Sequence, residues 1–317
     1  RHAVALNPRN AEAHRLLGVV LGEQGRPVDS ARHHARAMIL DAAAAEANGA
    51  PAALPPHDLA RAHLVLGEVA GAAEVYRRWA EAEPGNPSPR LHLAACTGRE
   101  VPDRCPPEYV EAAFDAFAPT FDEKLGHLGY RGPELLAEAL RAVLPPPPEA
   151  GSLDVLDAAC GTGLCGPVLR PYAARLSGID LSGGMLARAA VRQVYDALAK
   201  GDLAASLRER PAAFDLVACI DALIYLGSLG EAFAAAAAAL RPGGLFLFTI
   251  ELPIAGEAPS EGRVLAPVGR FRHGKAHVGA ALRESRFRIV HEAEAPLRRE
   301  LGEPVAAWIV AARRDDS

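Results

Sequence analysis

From Leu153 onward the chain alternates short apolar runs with segments in which apolar residues recur at helical spacing. The runs are LDVLDAA, RLSGID, FDLVACI and GLFLFTI, and the segments between them are LCGPVLRPYAA, GGMLARAAVRQV and GEAFAAAAAAL. Unbroken apolar runs are typical of strands buried on both faces. The alternation predicts an α/β fold with a parallel, doubly wound sheet that binds ligands at the carboxyl ends of its strands. At the end of the chain, RFRIVHEAEAPLR and PVAAWIVAARR favour a final antiparallel pair of strands.

The first 92 residues show a helical repeat pattern instead. Pro8 and Ala42 are 34 residues apart, and small and large residues alternate between them as in a helix–turn–helix unit. A second, shorter hairpin, DLARAHLVLGEVAGAAEVYRRWAEAEPGNP, follows. The period and the pattern resemble a tetratricopeptide (TPR) repeat, although alanine-rich amphipathic helices also imitate such repeats. Both interpretations predict a small all-α domain over residues 1–92, and the first adds a surface for a protein partner or a substrate.

Composition and charge argue against several classes of partner. The net charge is −5 and no run of five Lys or Arg occurs, so no binding to nucleic acid or to an anionic membrane surface is predicted. The longest apolar runs, Leu245–Ile250 and Phe233–Leu240, are far shorter than the ~20 residues of a membrane-spanning helix. Five cysteines without a C-x-x-C pair indicate a reducing, cytoplasmic environment, and no metal site is predicted. The chain opens on Arg1 rather than Met, which suggests a missing upstream segment.

The turn after the first apolar run carries the candidate chemistry. It reads LDAACGTGLCG, with Gly161, Gly163 and Gly166 at the G-x-G-x-x-G spacing. That spacing suits a plain tight turn, and it also suits a turn that binds the pyrophosphate of a nicotinamide or flavin dinucleotide. Asp180, 19 residues after Gly161, is placed to bind ribose hydroxyls. This acid does not distinguish between ligands, because any nucleoside in such a fold presents its ribose at the same place.

Five motifs in order specify the ligand more closely. They are LDAACGTG, SGIDLSGGMLARA, GDL, FDLVACIDALIYL and LRPGGLFLFTI, followed by the final pair of strands. Together they resemble the class I S-adenosylmethionine-dependent methyltransferases over roughly residues 107–314. The resemblance implies a seven-stranded Rossmann-like sheet in a domain over residues 151–317, S-adenosylmethionine as the cofactor and methyl transfer as the activity. A non-catalytic TPR scaffold with a cofactor-binding pseudo-methyltransferase domain is the alternative, and an NAD-dependent oxidoreductase is the third and least favoured.

The resemblance also implies which residues contact the cofactor. Asp157 would bind the ammonium group at the methionine end, Asp180 the ribose hydroxyls and Asp202 the adenine edge. Ala159 departs from the family pattern, which usually has a glycine at that place. The other implied contacts are Gly161, Gly163, Leu181, Met185, Leu203 and Cys219.

A lid over the cofactor is implied by the segment FDAFAPTFDEKLGHLGYRGPELL. Similar segments precede the first strand in methyltransferases that carry TPR repeats and cover the cofactor there, so Phe121 and Tyr130 are expected contacts. Apolar residues at helical spacing also suit core packing alone. Residues 93–150 are interpreted as a linker with lid helices.

The sequence specifies the general base and the acceptor less well. A sulfonium methyl group is already activated, so the protein mainly has to align the nucleophile and exclude water. The acceptor atom is oxygen, sulfur or nitrogen, and amino nitrogens are disfavoured because IDALIYL stands where such family members carry an NPPY-like stretch. Asp221, His273 and His277 are candidate bases, although each histidine also suits a solvated or capping role.

The densest basic stretch, GRFRHGKAH over residues 269–277, is the candidate acceptor site. Arg270 and Arg272, with Tyr225, are predicted to bind the acceptor, because a guanidinium pair suits a carboxylate or a phosphate. An ordinary solvated loop is the alternative. The preferred acceptor is therefore an acidic small molecule, or an acidic group on a carrier or peptide.

Overall fold

The structure, a computed structural model, describes residues 2–51, 54–147, 151–257, 261–300 and 302–315. These residues form two compact units. The first unit spans the chain as far as Pro102 and also takes in Leu265–Gly269. The second begins at Asp103 and contains most of the remaining chain.

The first unit is all-helical up to Pro102, as the sequence predicts. Its helices are α1 (His2–Leu6), α2 (Ala11–Glu23), α3 (Pro27–Ala47), α4 (Pro56–Val65), α5 (Val69–Ala82) and α6 (Pro87–Thr97). Consecutive helices pack against each other, and the fully buried Ala60, Ala72 and Tyr76 form a core between them. The predicted domain boundary at residue 92 falls inside α6, which ends at Thr97 and is followed by Gly98, whose backbone is left-handed with φ +67°.

Nine strands form one sheet among the described residues. They are β1 (Leu153–Ala158), β2 (Ala173–Asp180), β3 (Ala197–Lys200), β4 (Phe214–Cys219), β5 (Leu240–Glu251), β6 (Arg263–Ala266), β7 (Arg270–His273), β8 (Phe287–Glu300) and β9 (Glu303–Arg314). The order is β3-β2-β1-β4-β5-β7-β6, and β9 pairs with both β5 and β8. Strands β1 to β5 run parallel to one another. Strand β9 runs antiparallel to β5, so the sheet is mixed.

The strand count exceeds the seven that the family resemblance implied. Strands β6 and β7, of four residues each, account for the difference. β7 pairs with the end of β5 through Glu251 and Arg272. The stretch interpreted as a basic loop therefore contains a strand of the sheet.

Helices cover both faces of this sheet. They are α7 (Pro107–Phe117), α8 (Phe121–His127), α9 (Gly132–Val143), α10 (Gly166–Leu169), α11 (Gly183–Val191), α12 (Leu203–Arg208), α13 (Gly230–Ala239) and α14 (Lys275–Glu284). Val217 and Cys219 of β4 enter one hydrophobic core, and the alternate residues Leu216 and Ala218 enter another. Because successive side chains of a strand point to opposite faces, this division confirms the doubly wound arrangement.

The segment predicted as linker and lid, residues 93–150, is divided between the two units. Its beginning belongs to the helical unit, and α7, α8 and α9 belong to the second. Residues 148–150 lie outside the described residues. Within the described ranges, no helix has both the length and the apolar character needed to cross a membrane.

Candidate active site

Acidic side chains stand at the ends of four neighbouring strands. Asp157 is next to last in β1, Asp180 ends β2, Glu251 ends β5, and Asp221 comes two residues after β4. β1 pairs with β2 and β4, and β4 pairs with β5, all in parallel. Their carboxyl ends therefore meet at one edge of the sheet, which is where doubly wound folds bind ligands.

The turn after β1 holds three residues in the left-handed backbone region. φ is +60° at Ala159, +55° at Gly161 and +83° at Gly163. A side chain costs roughly 1–2 kcal/mol in this region, which is a physical reason for the glycine usual at the position of Ala159. A Cβ at Gly161 would have no described atom within 4 Å, whereas one at Gly163 would lie 2.9 Å from Cε2 of Tyr195. The turn thus leaves room for a ligand beside Gly161 and requires Gly163 for its own packing.

Asp180 joins this turn to the one after β2. Its carboxylate accepts the Gly161 N–H at 2.8 Å and the Ser182 N–H at 2.9 Å. Burial raises the pKa of Asp180, and the bonds from Ser182 and Gly161 oppose that rise. A carboxylate has about four acceptor positions, so it can still bind a ligand hydroxyl. Asp180 therefore stabilises the turn itself, and it is also the residue predicted to bind the ribose.

Asp157 is only 2% exposed. The hydroxyl of Tyr195, a residue absent from the sequence-based prediction, donates to its carboxylate at 2.6 Å. Burial raises the pKa of Asp157 to about 7 against the effect of that hydrogen bond, and the nearby Asp180 adds to the rise. A buried carboxyl in this state is matched to a ligand group that brings a positive charge, such as an ammonium.

Asp202, predicted at the adenine edge, begins α12. One of its oxygens accepts the Ala205 N–H at 3.1 Å, and the other accepts from Nη2 of Arg104 at 2.6 Å. Arg104 was not predicted, because it lies far upstream in the sequence and only the folded chain brings it to β3. The remaining predicted contacts are buried or half-buried side chains beside the strand ends, namely Leu181, Met185, Leu203 and Cys219.

Two aspartates of the lid segment bind the turns at the strand ends. Asp122, in the first turn of α8, accepts from Oγ1 of Thr162 at 2.5 Å and from Nη2 of Arg192 at 2.5 Å. Asp115, on α7, accepts from the hydroxyl of Ser182. Thr162 lies in the turn after β1 and Ser182 in the turn after β2. Asp115 and Asp122, termed the acidic clasp below, therefore hold α7 and α8 against both turns.

Aromatic rings line the inner side of the lid segment. Phe121 makes edge-to-face contacts with Phe114 at 6.1 Å and with Phe117 at 5.2 Å between ring centroids. Phe114 in turn meets the ring of Tyr225 at 5.5 Å. Phe121 and Tyr225, predicted as cofactor and acceptor contacts respectively, thus belong to one aromatic group.

Tyr130 interacts electrostatically with carboxylates at the ends of both β1 and β4. Burial raises the pKa of Tyr130 well above its ordinary value, and the carboxylates of Asp221 and Asp157 contribute to the rise. Arg298 acts in the opposite direction. The Tyr130 hydroxyl is therefore within electrostatic reach of the residues at the ends of both β1 and β4.

Arg298 of β8, which is 5% exposed, lies at the centre of a largely buried group of five charged residues. Nη1 of Arg298 donates to both oxygens of Asp221 at 2.9 Å, Nε donates to Glu300 at 2.8 Å, and Nη2 donates to Glu251. Arg270 donates to Glu251 at 3.0 Å and to Glu300 at 2.6 Å. These five residues, termed the ion-pair cluster, combine three carboxylates with two guanidinium groups. Their formal sum is one negative charge.

The predicted guanidinium pair is therefore engaged within the chain. Arg270 belongs to the ion-pair cluster, and Arg272 donates through Nη1 to Glu257 and has Nε 3.6 Å from Oε2 of Glu251. An acceptor carboxylate would have to compete with these internal partners. The role of both arginines in binding an acceptor stays a prediction.

The two candidate histidines are packed together. His273 is fully buried, and its Nε2–H donates to the carbonyl oxygen of Leu226 at 2.9 Å. Its ring stacks on that of His277 with 5.8 Å between centroids. Burial lowers the pKa of His273 to about 4 and also lowers the pKa of His277. His273 is thus neutral at neutral pH and held by the backbone, as in a structural histidine.

Comparison with known proteins identifies the segment that carries Asp157, the glycine turn and Asp180. Residues 155–244 match the sequence model of a family described as a methyltransferase domain. The chain contains a methyltransferase domain. S-adenosylmethionine is the cofactor of this domain.

Two curated proteins are similar to the methyltransferase domain. Methyltransferase-like protein 27 of Homo sapiens is 33% identical over 173 residues, which cover 53% of this chain and 66% of that protein. Malonyl-acyl-carrier-protein O-methyltransferase of Enterobacter lignolyticus is 36% identical over 140 residues, covering 44% of this chain and 52% of that protein. The chain thus spans about half to two thirds of the length of these relatives.

A solved structure supports the fold. The crystal structure of 1,6-didemethyltoxoflavin-N1-methyltransferase of Burkholderia thailandensis, with bound 1,6-didemethyltoxoflavin and S-adenosylhomocysteine, superposes with a TM-score of 0.52 at 19% identity. The match covers 68% of this chain and 93% of that chain. It agrees with the Rossmann-like architecture predicted from the sequence.

Replacing Asp122 by asparagine should loosen the lid segment of the methyltransferase domain. The change removes a charge-assisted contact to Arg192, and its effect is modest because the carboxylate is 43% exposed. We expect S-adenosylhomocysteine to dissociate about threefold to tenfold faster, measured by stopped-flow or surface plasmon resonance. Glu123→Gln, at the exposed neighbouring position of α8, is the matched control. Equal dissociation rates in both variants would show that Asp122 does not hold the lid over the cofactor.

Proposed function

We propose that the protein transfers a methyl group from S-adenosylmethionine to a hydroxyl oxygen of an acceptor that also carries an acidic group. The observation that carries this proposal is the combination of Asp157, the glycine turn and Asp180 within the matched methyltransferase domain. Each of these features fits one part of the cofactor. A plain tight turn would need none of them.

The cofactor fits the charges and the space at the strand ends. The buried Asp157, whose pKa is raised to about 7, would bind the ammonium group of the methionine end. Asp180 would accept from the ribose hydroxyls, and Asp202 with Arg104 would border the adenine. The open space beside Gly161 admits the ligand next to the backbone. An NAD dinucleotide carries no ammonium group for Asp157, which favours S-adenosylmethionine over NAD.

The chemistry of the step requires little from the protein beyond alignment and proton removal. When bound, the cofactor supplies a sulfonium methyl group: the bond from the acceptor oxygen to carbon forms as the carbon–sulfur bond breaks, and that electron pair stays on sulfur. The lid segment would exclude water, and the aromatic group around Phe114 would form an apolar wall beside the acceptor. Asp221 is the proposed proton acceptor, because burial lowers the pKa of His273 to about 4, which makes it a weak base, and its Nε2–H is bonded to the backbone.

Two observations favour an acceptor that carries an acidic group and is methylated on oxygen. The relative from Enterobacter lignolyticus is, by its name, an O-methyltransferase of malonyl-acyl-carrier protein, and a malonyl group ends in a carboxylate. In this chain Arg270 and Arg272 lie on β7, beside the end of β5. We propose that an acceptor carboxylate exchanges with an internal carboxylate such as Glu257 on these guanidinium groups.

The helical unit is proposed to present the acceptor. Its 34-residue period and its succession of packed helices suit TPR repeats, which bind protein partners or peptides. An acceptor borne on a carrier protein would need such a surface. A cytoplasmic location is proposed as well, because the sequence contains five cysteines, an odd number, and no C-x-x-C pair.

Product formation with labelled cofactor tests the proposal. The full chain is incubated with methyl-labelled S-adenosylmethionine and a panel of carboxylic acids, acyl-carrier thioesters, phosphates, neutral alcohols and amines. Calorimetry with S-adenosylhomocysteine and with NAD runs in parallel. Binding of S-adenosylhomocysteine without transfer to any acceptor would favour the non-catalytic scaffold, and binding of NAD alone would favour the oxidoreductase.

Replacing Arg272 by alanine tests the acidic acceptor separately. We expect the KM of acidic acceptors to rise about threefold to tenfold, because a charge-assisted bond is lost, while the affinity for S-adenosylhomocysteine stays the same. Added salt should weaken acceptor binding to the wild type. Arg288→Ala, at an exposed arginine of β8, is the matched control. A preference for neutral or cationic acceptors that Arg272→Ala leaves unchanged would contradict the acidic acceptor.

A further inference from the structure

We infer that Arg298 is a positioning residue for the transfer step. Its guanidinium fixes the Asp221 carboxylate at the end of β4 as the acceptor of the proton that the nucleophile loses. This inference rests on the proposed function, because it concerns the same reaction. Nothing in the sequence pointed to Arg298, which lies among the alternating charges of the final strand pair.

The geometry of the Arg298 contacts leaves the Asp221 carboxylate little freedom. Both oxygens of Asp221 accept from the single nitrogen Nη1, at 2.9 Å each. The other two nitrogens of Arg298 are held by Glu251 and Glu300, so the guanidinium cannot rotate without breaking charged contacts. Arg298 is therefore held in one orientation, and its Nη1 keeps the Asp221 carboxylate in place.

The backbone of Asp221 is fixed as well. Its φ of +57° is in the left-handed region, which an aspartate adopts at a cost of about 1 kcal/mol. Its N–H donates to Oγ1 of Thr249 on the adjacent β5, at 2.7 Å. A strained residue held from both its main chain and its side chain, at the ligand-binding edge of the sheet, is typical of a functional position.

The surrounding charges would otherwise favour the protonated carboxyl. Burial raises the pKa of Asp221 to about 6, Glu251 adds to the rise, and Arg298 and Arg270 lower it. The titratable groups that face Asp221 come from β8, β5, β7, the helical turn after β4, the segment before α9 and the turn after β1. They are Arg298, Glu251, Arg270, Tyr225, Tyr130 and Cys165.

Arg298 thereby keeps Asp221 ionised at neutral pH. As a hydroxyl oxygen of the acceptor bonds to the methyl carbon, its proton passes to the Asp221 carboxylate, and from there to solvent after the product leaves. A carboxylate oxygen, which is already ionised, would need no such base. An uncharged Asp221 could not accept this proton. Activity should accordingly fall as the pH drops through about 6, where the carboxyl protonates.

The test compares Arg298→Gln, Arg298→Lys and a matched control. Arg298→Gln removes the charge, so we expect the acid limb of its pH profile to move up by about one pH unit, which lowers kcat about twofold at pH 7 and about tenfold at about pH 5. Arg298→Lys restores a cation and should give an intermediate profile. KM for S-adenosylmethionine should stay within about twofold of the wild type. Arg241→Gln is the control, because Arg241 also bridges two carboxylates, Asp154 at 2.8 Å and Asp215 at 2.9 Å, at the opposite end of the strands.

A second measurement does not depend on turnover. The carboxyl carbon of Asp221 is titrated by NMR in the wild type and in both Arg298 variants, with Asp221→Asn identifying the signal. The pH midpoint of the Asp221 titration should rise in Arg298→Gln. If that variant does not fold, the midpoint is measured in Arg298→Lys instead and should rise there as well. An unchanged midpoint, or a loss of kcat that is the same at every pH, would overturn the role of Arg298. Absence of transfer to every acceptor together with a raised midpoint would refute the proposed function and leave the hold of Arg298 on Asp221 established.

Discussion

Replacing Asp180 by alanine should weaken the binding of S-adenosylhomocysteine by about 3 kcal/mol, or roughly 100-fold. Two effects add. The proposed bonds to the ribose hydroxyls are lost, and the N–H groups of Gly161 and Ser182 lose the carboxylate that orients both turns. Isothermal calorimetry on the full chain measures the change, with thermal unfolding to show that the variant is folded.

The control for Asp180→Ala is Asp196→Ala. Asp196 is a similar structural carboxylate, since it accepts the Leu176 N–H at 2.7 Å and a bond from Arg170 at 2.7 Å. It lies just before β3, away from the carboxyl ends of the strands. Both substitutions should lower the unfolding temperature by a few degrees, but only Asp180→Ala should lose the ligand. If the two variants bind S-adenosylhomocysteine equally well, Asp180 is a structural residue and the ribose site lies elsewhere.

Cofactor affinity should depend strongly on pH because of Asp157. With a pKa of about 7 in the protein without cofactor, Asp157 is largely protonated below neutral pH, whereas an ammonium ligand favours its ionised form. Binding of S-adenosylhomocysteine should therefore release protons and become tighter as the pH rises, by about tenfold or more between about pH 5.5 and about pH 7.5. Calorimetry in buffers of different ionisation enthalpy counts the protons released.

The stability of the free protein should change with pH in the opposite sense. The pKa of Asp157 rises from 3.8 to about 7 on folding, so the native state binds its proton more tightly than the unfolded state does. The free energy of unfolding should consequently decrease as the pH rises through this interval, by on the order of 4 kcal/mol at most. Saturating cofactor should remove much of this decrease, because the ammonium group then compensates the buried charge.

Asp157→Asn separates this residue from its neighbours. The asparagine keeps the shape and can still accept from Tyr195, but it carries no charge. We expect the variant to bind S-adenosylhomocysteine about tenfold to 100-fold more weakly at pH 8 and to show a nearly flat pH dependence. A wild-type slope in the variant would assign the titration to another group, and Asp180 is the first candidate because burial raises its pKa too.

Local sequence patterns were sufficient for the centre of the fold. β1, β4 and β5 were predictable because strands buried on both faces appear as unbroken apolar runs, and Asp180 because the fold fixes its distance from Gly161. β3 was not recognised, since it has only four residues and none of them is fully buried. The strands β6 and β7 also have only four residues each, and their arginines hid the short apolar pattern.

The parts of the site that depend on distant pairs were not predictable. The partners of Arg298 are 47 residues away at Glu251 and 77 residues away at Asp221, and no local pattern joins them. The acidic clasp was missed for a related reason: aspartates on the polar face of a helix are ordinarily solvated, and only the folded chain places Asp122 against Thr162. Arg272 is the opposite case, because its ionisable neighbours in the stretch 269–277 are all basic, although its contacts in the structure are carboxylates.

The position of β4 in the chain has a consequence for how this enzyme family can diverge. The candidate cofactor contacts and the acidic clasp precede or lie within β4, whereas every member of the ion-pair cluster follows it. Under the proposed function, inheritance of the segment before β4 preserves the donor of the methyl group, and substitutions after β4 change what receives it. A chimera joined within β4, between this chain and a relative with another acceptor, would inherit its two specificities from different parents.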